Sequence, residues 1–173
     1  MRVQISPRAP FLGNNMINPK NVKILVVDDE PEICEVLEAF LTSRDYRVRT
    51  ALGAEEAIDI IENDNIYLTL LDIKMPNISG IELLKLIKKR QPLIEVIMIT
   101  GYATLEDAIT CMKEGARDFI TKPFELENIA EAVKSALEKR ANIIEHKNYM
   151  GNLERKIRNI TSEIKKMKGP KEQ

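Results

Sequence analysis

Four short apolar runs in this chain each end at residues that could handle a phosphoryl group. The residues, with the runs they follow, are Asp28 and Asp29 after 23–27, Asp72 after 66–71, Thr100 after 95–99, and Lys122 after 118–121. A carboxylate can accept a phosphoryl group as a mixed anhydride, and carboxylates are ligands that Mg²⁺ prefers. A hydroxyl and an ammonium group can stabilise the oxygens of the transferred group. The combination predicts magnesium-assisted phosphorylation of an aspartate.

Asp72 is the best candidate for the phosphorylated carboxylate. Three carboxylates packed together without a cation would repel one another, which raises their pKa values. A magnesium ion bound by Asp28, Asp29 and Asp72 would relieve that repulsion. Lys122 would supply a compact positive charge for the transferring group, and the Thr100 hydroxyl a hydrogen bond. A single Asp after a strand usually only forms a turn, so the prediction requires all four runs to meet in space.

These residues can meet if the runs are neighbouring parallel strands. From residue 23 to residue 139, short apolar runs alternate with amphipathic stretches, which gives five strands and five helices. Strict alternation predicts an α/β fold with a doubly wound parallel sheet, and five strands fit the flavodoxin-like order 2-1-3-4-5. Open sheets of this kind bind ligands beyond the carboxyl ends of their strands. The predicted site lies at that edge.

Helical periodicity also predicts which side chains face the core. The predicted inward positions include Val36 on the first helix and Ala108, Ile109 and Met112 on the fourth. Cys34 and Cys111 fall within helices, and we expect both to be small buried hydrophobic side chains.

A second periodicity begins beyond residue 139. Apolar residues recur at spacings of three and four, as in the a and d positions of a heptad repeat: Ile143, His146, Met150, Leu153, Ile157, Ile160, Ile164 and Met167. The pattern predicts that the last helix continues as a coiled-coil-like stalk that favours a parallel homodimer. Gly151 weakens this helix by about 1 kcal/mol relative to Ala, and His146 suits a d position poorly. The alternative is a frayed helix that straightens only in a crystal or beside a missing domain.

Four segments are therefore expected. They are a flexible lead-in at residues 1–20, an α/β domain at 21–140, the helical stalk at 141–168, and a disordered tail at 169–173. The lead-in contains three prolines and little periodicity, and Met16 is an alternative start of translation.

Charge and composition exclude several classes of function. Residues 21–138 contain 13 Lys and Arg against 23 Asp and Glu, whereas residues 139–173 contain 10 against 4. The acidic body argues against direct nucleic-acid binding. The basic tail could contact nucleic acid or a membrane, but mixed charge on a solvated helix face is the commoner explanation. A single histidine excludes multi-histidine metal sites, and the absence of CxxC spacing argues against a zinc site. Without an apolar stretch of ~20 residues or a signal-peptide core, we expect a cytoplasmic protein with no membrane partner.

Residues 24–140 resemble the receiver domains of bacterial two-component response regulators, which have a chemotaxis-regulator-like fold. The resemblance depends on LVVDDE at 25–30, LDIKMP at 71–76 followed by Ser79-Gly80, ITG at 99–101, and GARDFITKPF at 115–124. It implies phosphorelay signal transduction, with a sensor histidine kinase as the partner that supplies a phosphoryl group from a phosphohistidine. It also implies a signalling domain whose only catalysis is its own phosphotransfer and dephosphorylation.

The resemblance assigns the site residues individually. Asp72 would accept the phosphoryl group, and Asp29 and Asp72 would bind Mg²⁺ directly, helped by the backbone carbonyl of Lys74. Asp28 would contribute through water. In this family the positions of Lys74 and Tyr102 tune the rate of dephosphorylation.

The resemblance further implies a conformational switch. Thr100 would move onto the phosphoryl group, and Phe119 would follow it as the switch aromatic. The movement would alter the face formed by the fourth helix, fifth strand and fifth helix, which is a second candidate surface for homodimer formation. The Lys122–Pro123 peptide would be cis, so that the lysine is directed at the site.

Two other readings compete. Phosphatases of the haloacid-dehalogenase superfamily also use an Asp nucleophile, but they need a second Asp two residues later, where this chain has Lys74. A receiver fold that no longer takes phosphate and only dimerises through its stalk is the other reading. Degenerate receivers usually lose an acidic, threonine or lysine position, and all of these positions are filled here. The chain would be either part of a larger regulator or a stand-alone receiver.

Overall fold

The computed structural model describes residues 17–101 and 104–167. Most of the expected lead-in, the alternative start at Met16, Tyr102, and the expected tail at 169–173 lie outside these residues. Residues 17–20, which the sequence pattern places in the lead-in, contact the domain. Ile17 packs against the core, and Pro19–Asn21 form one turn of 3₁₀ helix, in which the Asn18 side chain accepts a hydrogen bond from the backbone N–H of Lys20.

Five parallel strands form one sheet in the order β2-β1-β3-β4-β5, which confirms the predicted topology. The strands are β1 (Lys23–Val27), β2 (Arg47–Ala51), β3 (Leu68–Asp72), β4 (Glu95–Thr100) and β5 (Asp118–Thr121). β3 begins two residues later than the apolar run suggested, at Leu68, and Asp72 is its last residue. β1, β3 and β4 are almost entirely buried, as expected for central strands covered by helices on both faces.

The connecting helices are α1 (Pro31–Ser43), α2 (Ala54–Asn63), α3 (Gly80–Arg90), α4 (Leu105–Lys113) and α5 (Leu126–Met167). α3 and α4 each begin with a capping box, formed by Ser79 with Glu82 and by Thr104 with Asp107. Gly80 has to be glycine, because a Cβ there would lie 1.9 Å from the backbone oxygen of Asp72. This close approach packs the start of α3 directly beneath Asp72.

Apolar side chains fill both faces of the sheet, and the two predicted buried cysteines lie on opposite faces. Cys111 lies in the cluster formed with α2, α3 and α4, and Cys34 in the cluster formed with α1 and α5. Burial raises the pKa of the Cys34 thiol to about 11. Cys34 is therefore unreactive, because it is buried and its thiol stays protonated at neutral pH.

Three of the predicted inward positions are wrong. On α4, Ile109 and Met112 are about half exposed, and Cys111 is the buried residue of this nine-residue helix. Val36 on α1 is also about half exposed, because Cys34, Leu37 and Leu41 form the buried stripe. Both helices carry apolar residues on more than one side, so the periodicity alone did not fix which side packs on the sheet.

α5 is one continuous helix of 42 residues, about 63 Å long at 1.5 Å per residue. Its first part is anchored in the core by Ile129, Val133 and Leu137. Arg140 ends this anchored part: its Nε donates a hydrogen bond to the Leu93 carbonyl at 2.9 Å, and its guanidinium stacks on the Tyr67 ring at 4.2 Å. No helix in the described parts of the chain is both long and apolar enough to cross a membrane.

Candidate functional site

The predicted site residues lie at the carboxyl edge of the sheet. The strand register aligns Val27 with Leu71, Asp72 with Ile99, and Thr100 with Thr121, so β1, β3, β4 and β5 end at the same level. Asp28 and Asp29 follow β1, Asp72 and Thr100 are the last residues of β3 and β4, and Lys122 follows β5. The fold thus brings all four runs to one edge, as the sequence predicted.

Three carboxylates form the acidic part of the site. Oxygen atoms of Asp28, Asp29 and Asp72 all lie within 4.8 Å of one another. Asp28 and Asp72 are buried and Asp29 is exposed. This is a compact, oxygen-only donor set that opens to solvent on one side, which suits a small hard cation that retains several waters.

Lys122 lies against this cluster. Its Nζ donates to Asp28 Oδ2 at 2.7 Å and to Glu30 Oε1 at 2.9 Å, and lies 3.8 Å from Asp72 Oδ2. Burial alone would lower the pKa of Lys122, but the hydrogen bonds to Asp28 and Glu30 outweigh it and raise the pKa above its usual value. The lysine therefore stays charged and offsets part of the acidic cluster.

Asp72 is 5% exposed and experiences opposing influences. Burial raises its pKa, Lys122 lowers it, and the nearby charge of Asp28 raises it again. The backbone N–H of Lys74 and the Thr100 hydroxyl lower it, yet the net direction is upward. Asp72 Oδ1 is a buried oxygen that, within the described residues, accepts no hydrogen bond. An unsatisfied carboxylate oxygen beside two more carboxylates fits a site for Mg²⁺.

The remaining predicted residues surround this centre. Thr100 is buried, and its hydroxyl hydrogen-bonds to the Asp72 carboxylate and so lowers the pKa of Asp72. Phe119 on β5 is half-buried and packs against the core beneath α3 and α4. Lys74 is exposed in the loop after β3, and its carbonyl as a metal ligand stays a prediction. The Lys122–Pro123 peptide is cis, as the resemblance implied.

Glu30 was not among the predicted site residues, although it contacts Lys122. Its partner is 92 positions away in the sequence, so no local pattern reveals the pair. The only sequence signal is a third acidic residue directly after Asp28 and Asp29, which by itself suggests a solvated turn.

Known proteins with similar sequences are response regulators. The family model of the response regulator receiver domain matches residues 24–134. The response regulator protein PilR of Pseudomonas aeruginosa is 41% identical over 118 residues, which make up 68% of this chain and 26% of PilR. The nitrogen assimilation regulatory protein NtrX of Azorhizobium caulinodans is 38% identical over 117 residues, 66% of this chain and 26% of NtrX. The chain thus spans about a quarter of the length of these relatives.

Solved structures share the fold. A response regulator receiver domain protein (CheY-like) from Methanospirillum hungatei matches with a TM-score of 0.68 and 36% identity, over 70% of this chain and 97% of that one. The beryllofluoride-activated NtrC4 receiver domain, solved as a dimer, matches with a TM-score of 0.66 and 35% identity, over 68% of this chain and 98% of that one.

Proposed function

The chain belongs to the response-regulator receiver family, and from that premise we propose that Asp72 is its phosphoryl acceptor and that the donor is a sensor histidine kinase. Phosphorylation-dependent signalling in two-component systems is the general function of this family. The observation that carries the assignment is the Asp72 carboxylate itself: it is buried, one oxygen lacks a hydrogen-bond partner among the described residues, and Lys122 lies 3.8 Å away.

The proposed reaction is a transfer between two side chains. An oxygen of Asp72 forms a bond to phosphorus as the bond between phosphorus and the kinase histidine nitrogen breaks, and the imidazole keeps that electron pair. Lys122 and the Thr100 hydroxyl stabilise the charge on the phosphoryl oxygens. Beyond this transfer and the later hydrolysis of the aspartyl phosphate, in which water takes the phosphoryl group and the Asp72 carboxylate is restored, we expect no enzymatic activity of the receiver.

The proposed cofactor is Mg²⁺. Asp29 and Asp72 would hold it directly, together with the Lys74 carbonyl, and Asp28 would contribute through water. When bound, the ion would neutralise charge on the transferring phosphoryl group. The supporting observation is the trio of carboxylates within 4.8 Å, whose mutual repulsion Lys122 offsets only in part.

The proposed output is a change of the surface formed by α4, β5 and α5. Phosphorylation adds about −1.5 to −2 charge next to Thr100, and the response would pass through Thr100 and Phe119 to that surface. The exposed apolar side chains of Leu105, Ile109 and Met112 on α4 support this choice, because exposed apolar residues grouped on one helix mark an interaction surface.

The proposed partner in assembly is a second copy of the chain. We divide the chain into a receiver domain at 21–140 and a stalk at 141–168 that pairs in parallel; residue 168 lies outside the described residues. Several a and d residues are 40–57% exposed in the single chain, namely Met150, Leu153, Ile157, Ile160 and Ile164. Pairing would cover them, and the dimer of the NtrC4 receiver domain is a related precedent.

Nucleic acid is not part of the proposed function of this chain. The homologue ZraR of Escherichia coli is named a transcriptional regulatory protein, and the match covers 26% of it. The receiver body carries an excess of ten acidic groups between residues 21 and 138, which opposes direct contact with phosphates. We propose the cytoplasm as its location, where a kinase phosphohistidine would be available.

The test is the intact mass of the protein after incubation with acetyl phosphate and Mg²⁺. We expect one phosphoryl adduct on the wild-type chain, and none with Asp72→Asn or with EDTA. A folded wild-type chain that forms no adduct would contradict the proposal. It would favour instead a receiver fold that serves only as a constitutive dimerisation module.

A further inference from the structure

Glu30 makes a contact that phosphoryl transfer does not require. We propose that Glu30 is a positioning residue that holds the Lys122 ammonium away from Asp72 and thereby slows phosphorylation of Asp72. The proposal rests on the assignment of Asp72 as the acceptor. It concerns the rate of phosphorylation, whereas the proposed function assigns only the roles of the site residues.

The geometry shows how the ammonium is held. A lysine ammonium has three N–H donors. In Lys122 two of them are used by Asp28 Oδ2 at 2.7 Å and Glu30 Oε1 at 2.9 Å. The distance of 3.8 Å to Asp72 Oδ2 is an ion-pair distance but too long for a hydrogen bond. The third donor remains for a phosphoryl group on Asp72, but the two hydrogen bonds anchor the ammonium, so Lys122 can move closer to Asp72 only by lengthening or breaking one of them.

Burial indicates which partner is released. The Asp28 side chain is 3% exposed, whereas that of Glu30 is 59% exposed. Water can replace the ammonium at Glu30 but not at Asp28, so the contact with Glu30 is the easier one to break. Asp28 is also fixed from its other side, because the backbone N–H of Glu30 donates to Asp28 Oδ1 at 3.0 Å.

The Glu30 carboxylate does not serve to cap the start of α1. Glu30 occupies the N-cap of α1, a position where Ser, Thr, Asp and Asn are preferred, and its side chain makes no capping hydrogen bond. In α3 and α4, in contrast, the N-cap residues Ser79 and Thr104 do make capping hydrogen bonds. The carboxylate of Glu30 reaches across to Lys122 instead, and this contact is the interaction that a substitution there would change.

The decisive variant is Glu30→Asp. It keeps the negative charge and favours the N-cap, but it is one methylene shorter and loses the reach to Lys122. Glu30→Gln keeps the length and removes the charge. Glu32→Gln is the matched control, because Glu32 is an exposed acid in the first turn of the same helix. All are made in the full chain, and phosphorylation by acetyl phosphate at saturating Mg²⁺ is followed by intact mass.

We expect Glu30→Asp and Glu30→Gln to be phosphorylated roughly three- to tenfold faster than wild type, the range set by one partly exposed charge-assisted hydrogen bond. Glu32→Gln should stay within about twofold of wild type, as surface substitutions do. A second readout needs neither phosphate nor metal. In ¹H–¹⁵N spectra of the lysine ammonium groups, the Lys122 signal should exchange faster with water in both Glu30 variants.

Four outcomes would overturn the proposal. Wild-type rates in Glu30→Asp with faster rates in Glu30→Gln would mean that Glu30 only repels the anionic donor. Slower rates in both variants would mean that Glu30 directs Lys122 productively. A wild-type chain that takes up no phosphoryl group would overturn the proposed function of Asp72, and this inference with it. A wild-type chain that is phosphorylated, without acceleration in Glu30→Asp, would overturn the inference alone.

Discussion

Replacing Asp72 by Asn should stabilise the metal-free protein while abolishing phosphorylation. Asp72 is 5% exposed, its Oδ1 accepts no hydrogen bond within the described residues, and Asp28 lies nearby. A buried acceptor without a partner costs about 1–3 kcal/mol, and more when it is charged; Asn keeps a polar atom at this position, so the substitution regains the part of the cost that depends on the charge. Lys122, 3.8 Å away, offsets part of that cost. We therefore expect Asp72→Asn to raise the free energy of unfolding by about 1–2 kcal/mol at neutral pH, within the range of single substitutions.

The assay is thermal unfolding in EDTA followed by circular dichroism. For a chain of this size about 1 kcal/mol corresponds to a shift of ~2–4 °C in Tm, so Asp72→Asn should melt ~2–8 °C above wild type. Asp29→Asn is the control, because Asp29 is exposed and its removal should change the Tm of the metal-free protein little. An Asp72→Asn protein that melts at or below the wild-type Tm would refute the reasoning.

The pH dependence of stability tests the same prediction independently. Because the pKa of Asp72 is raised in the folded protein, the folded state binds this proton more tightly than the unfolded state does. The carboxylate therefore destabilises the fold at neutral pH, and stability is regained as the pH falls through the raised pKa towards the ordinary value of about 4. The advantage of Asp72→Asn should be largest near pH 7 and should disappear in acid.

Excess Mg²⁺ should also abolish the difference in stability between Asp72→Asn and wild type, because it should stabilise the wild-type protein. A ligand that binds only the folded state stabilises it by about 2.7 kcal/mol at a concentration 100-fold above its Kd. Excess Mg²⁺ should therefore raise the Tm of wild type and have much less effect on Asp72→Asn. Equal shifts in the two proteins would show that the ion binds elsewhere.

Three further predictions concern the rest of the chain. Thr69→Val should raise the free energy of unfolding by about 1 kcal/mol in urea titrations, because the buried Thr69 hydroxyl has no hydrogen-bond partner in the described structure and Val has nearly the same shape; a loss of stability would reveal a partner. Arg140→Ala should cost about 1–2 kcal/mol in the same titration through the lost hydrogen bond and aromatic stacking, whereas the neighbouring exposed Lys139→Ala should cost less than about 0.5 kcal/mol. Replacing Ile157 and Ile160 together by Ser should convert a dimer to a monomer in sedimentation experiments without lowering acetyl phosphate labelling; a dimer that survives would place the interface on the α4–β5–α5 surface instead.

The strand order and the location of the site were predictable from sequence for a simple reason. Central strands of a parallel sheet must be apolar throughout, and the polar residue that follows each strand marks its carboxyl end. Asp72 and Thr100 were identified in this way although they lie on different strands, because every strand of the sheet points the same way. The boundary of β3 was less certain, since Ile66 and Tyr67 are apolar but precede the strand.

Side-chain orientation and long-range polar contacts were not predictable in the same way. α4 has only nine residues and apolar side chains on two sides, so its periodicity could not distinguish Cys111 from Ile109 and Met112 as the buried residue. Glu30 follows two acids in a turn, and its length and charge alone do not indicate a lysine 92 positions later. Such a contact depends on where β1 and β5 end in space, which only the folded sheet defines.

The side chains of α5 that face the receiver and those that form the heptad stripe lie on different sides of the same helix. Leu137, Arg140 and Ile144 lie on the side of the helix that faces its own domain, whereas Ile143 begins the stripe of heptad positions. Residues 143 and 144 differ by about 100° around the axis, so α5 can contact its own domain and a second stalk at the same time. Because Arg140 is held by the Leu93 carbonyl and the Tyr67 ring, a rotation of α5 would break both contacts. A change at the α4–β5–α5 surface can therefore reach the stalk in two ways, by a movement of the whole receiver or by release of Arg140. We expect Arg140→Ala to uncouple the stalk from the receiver.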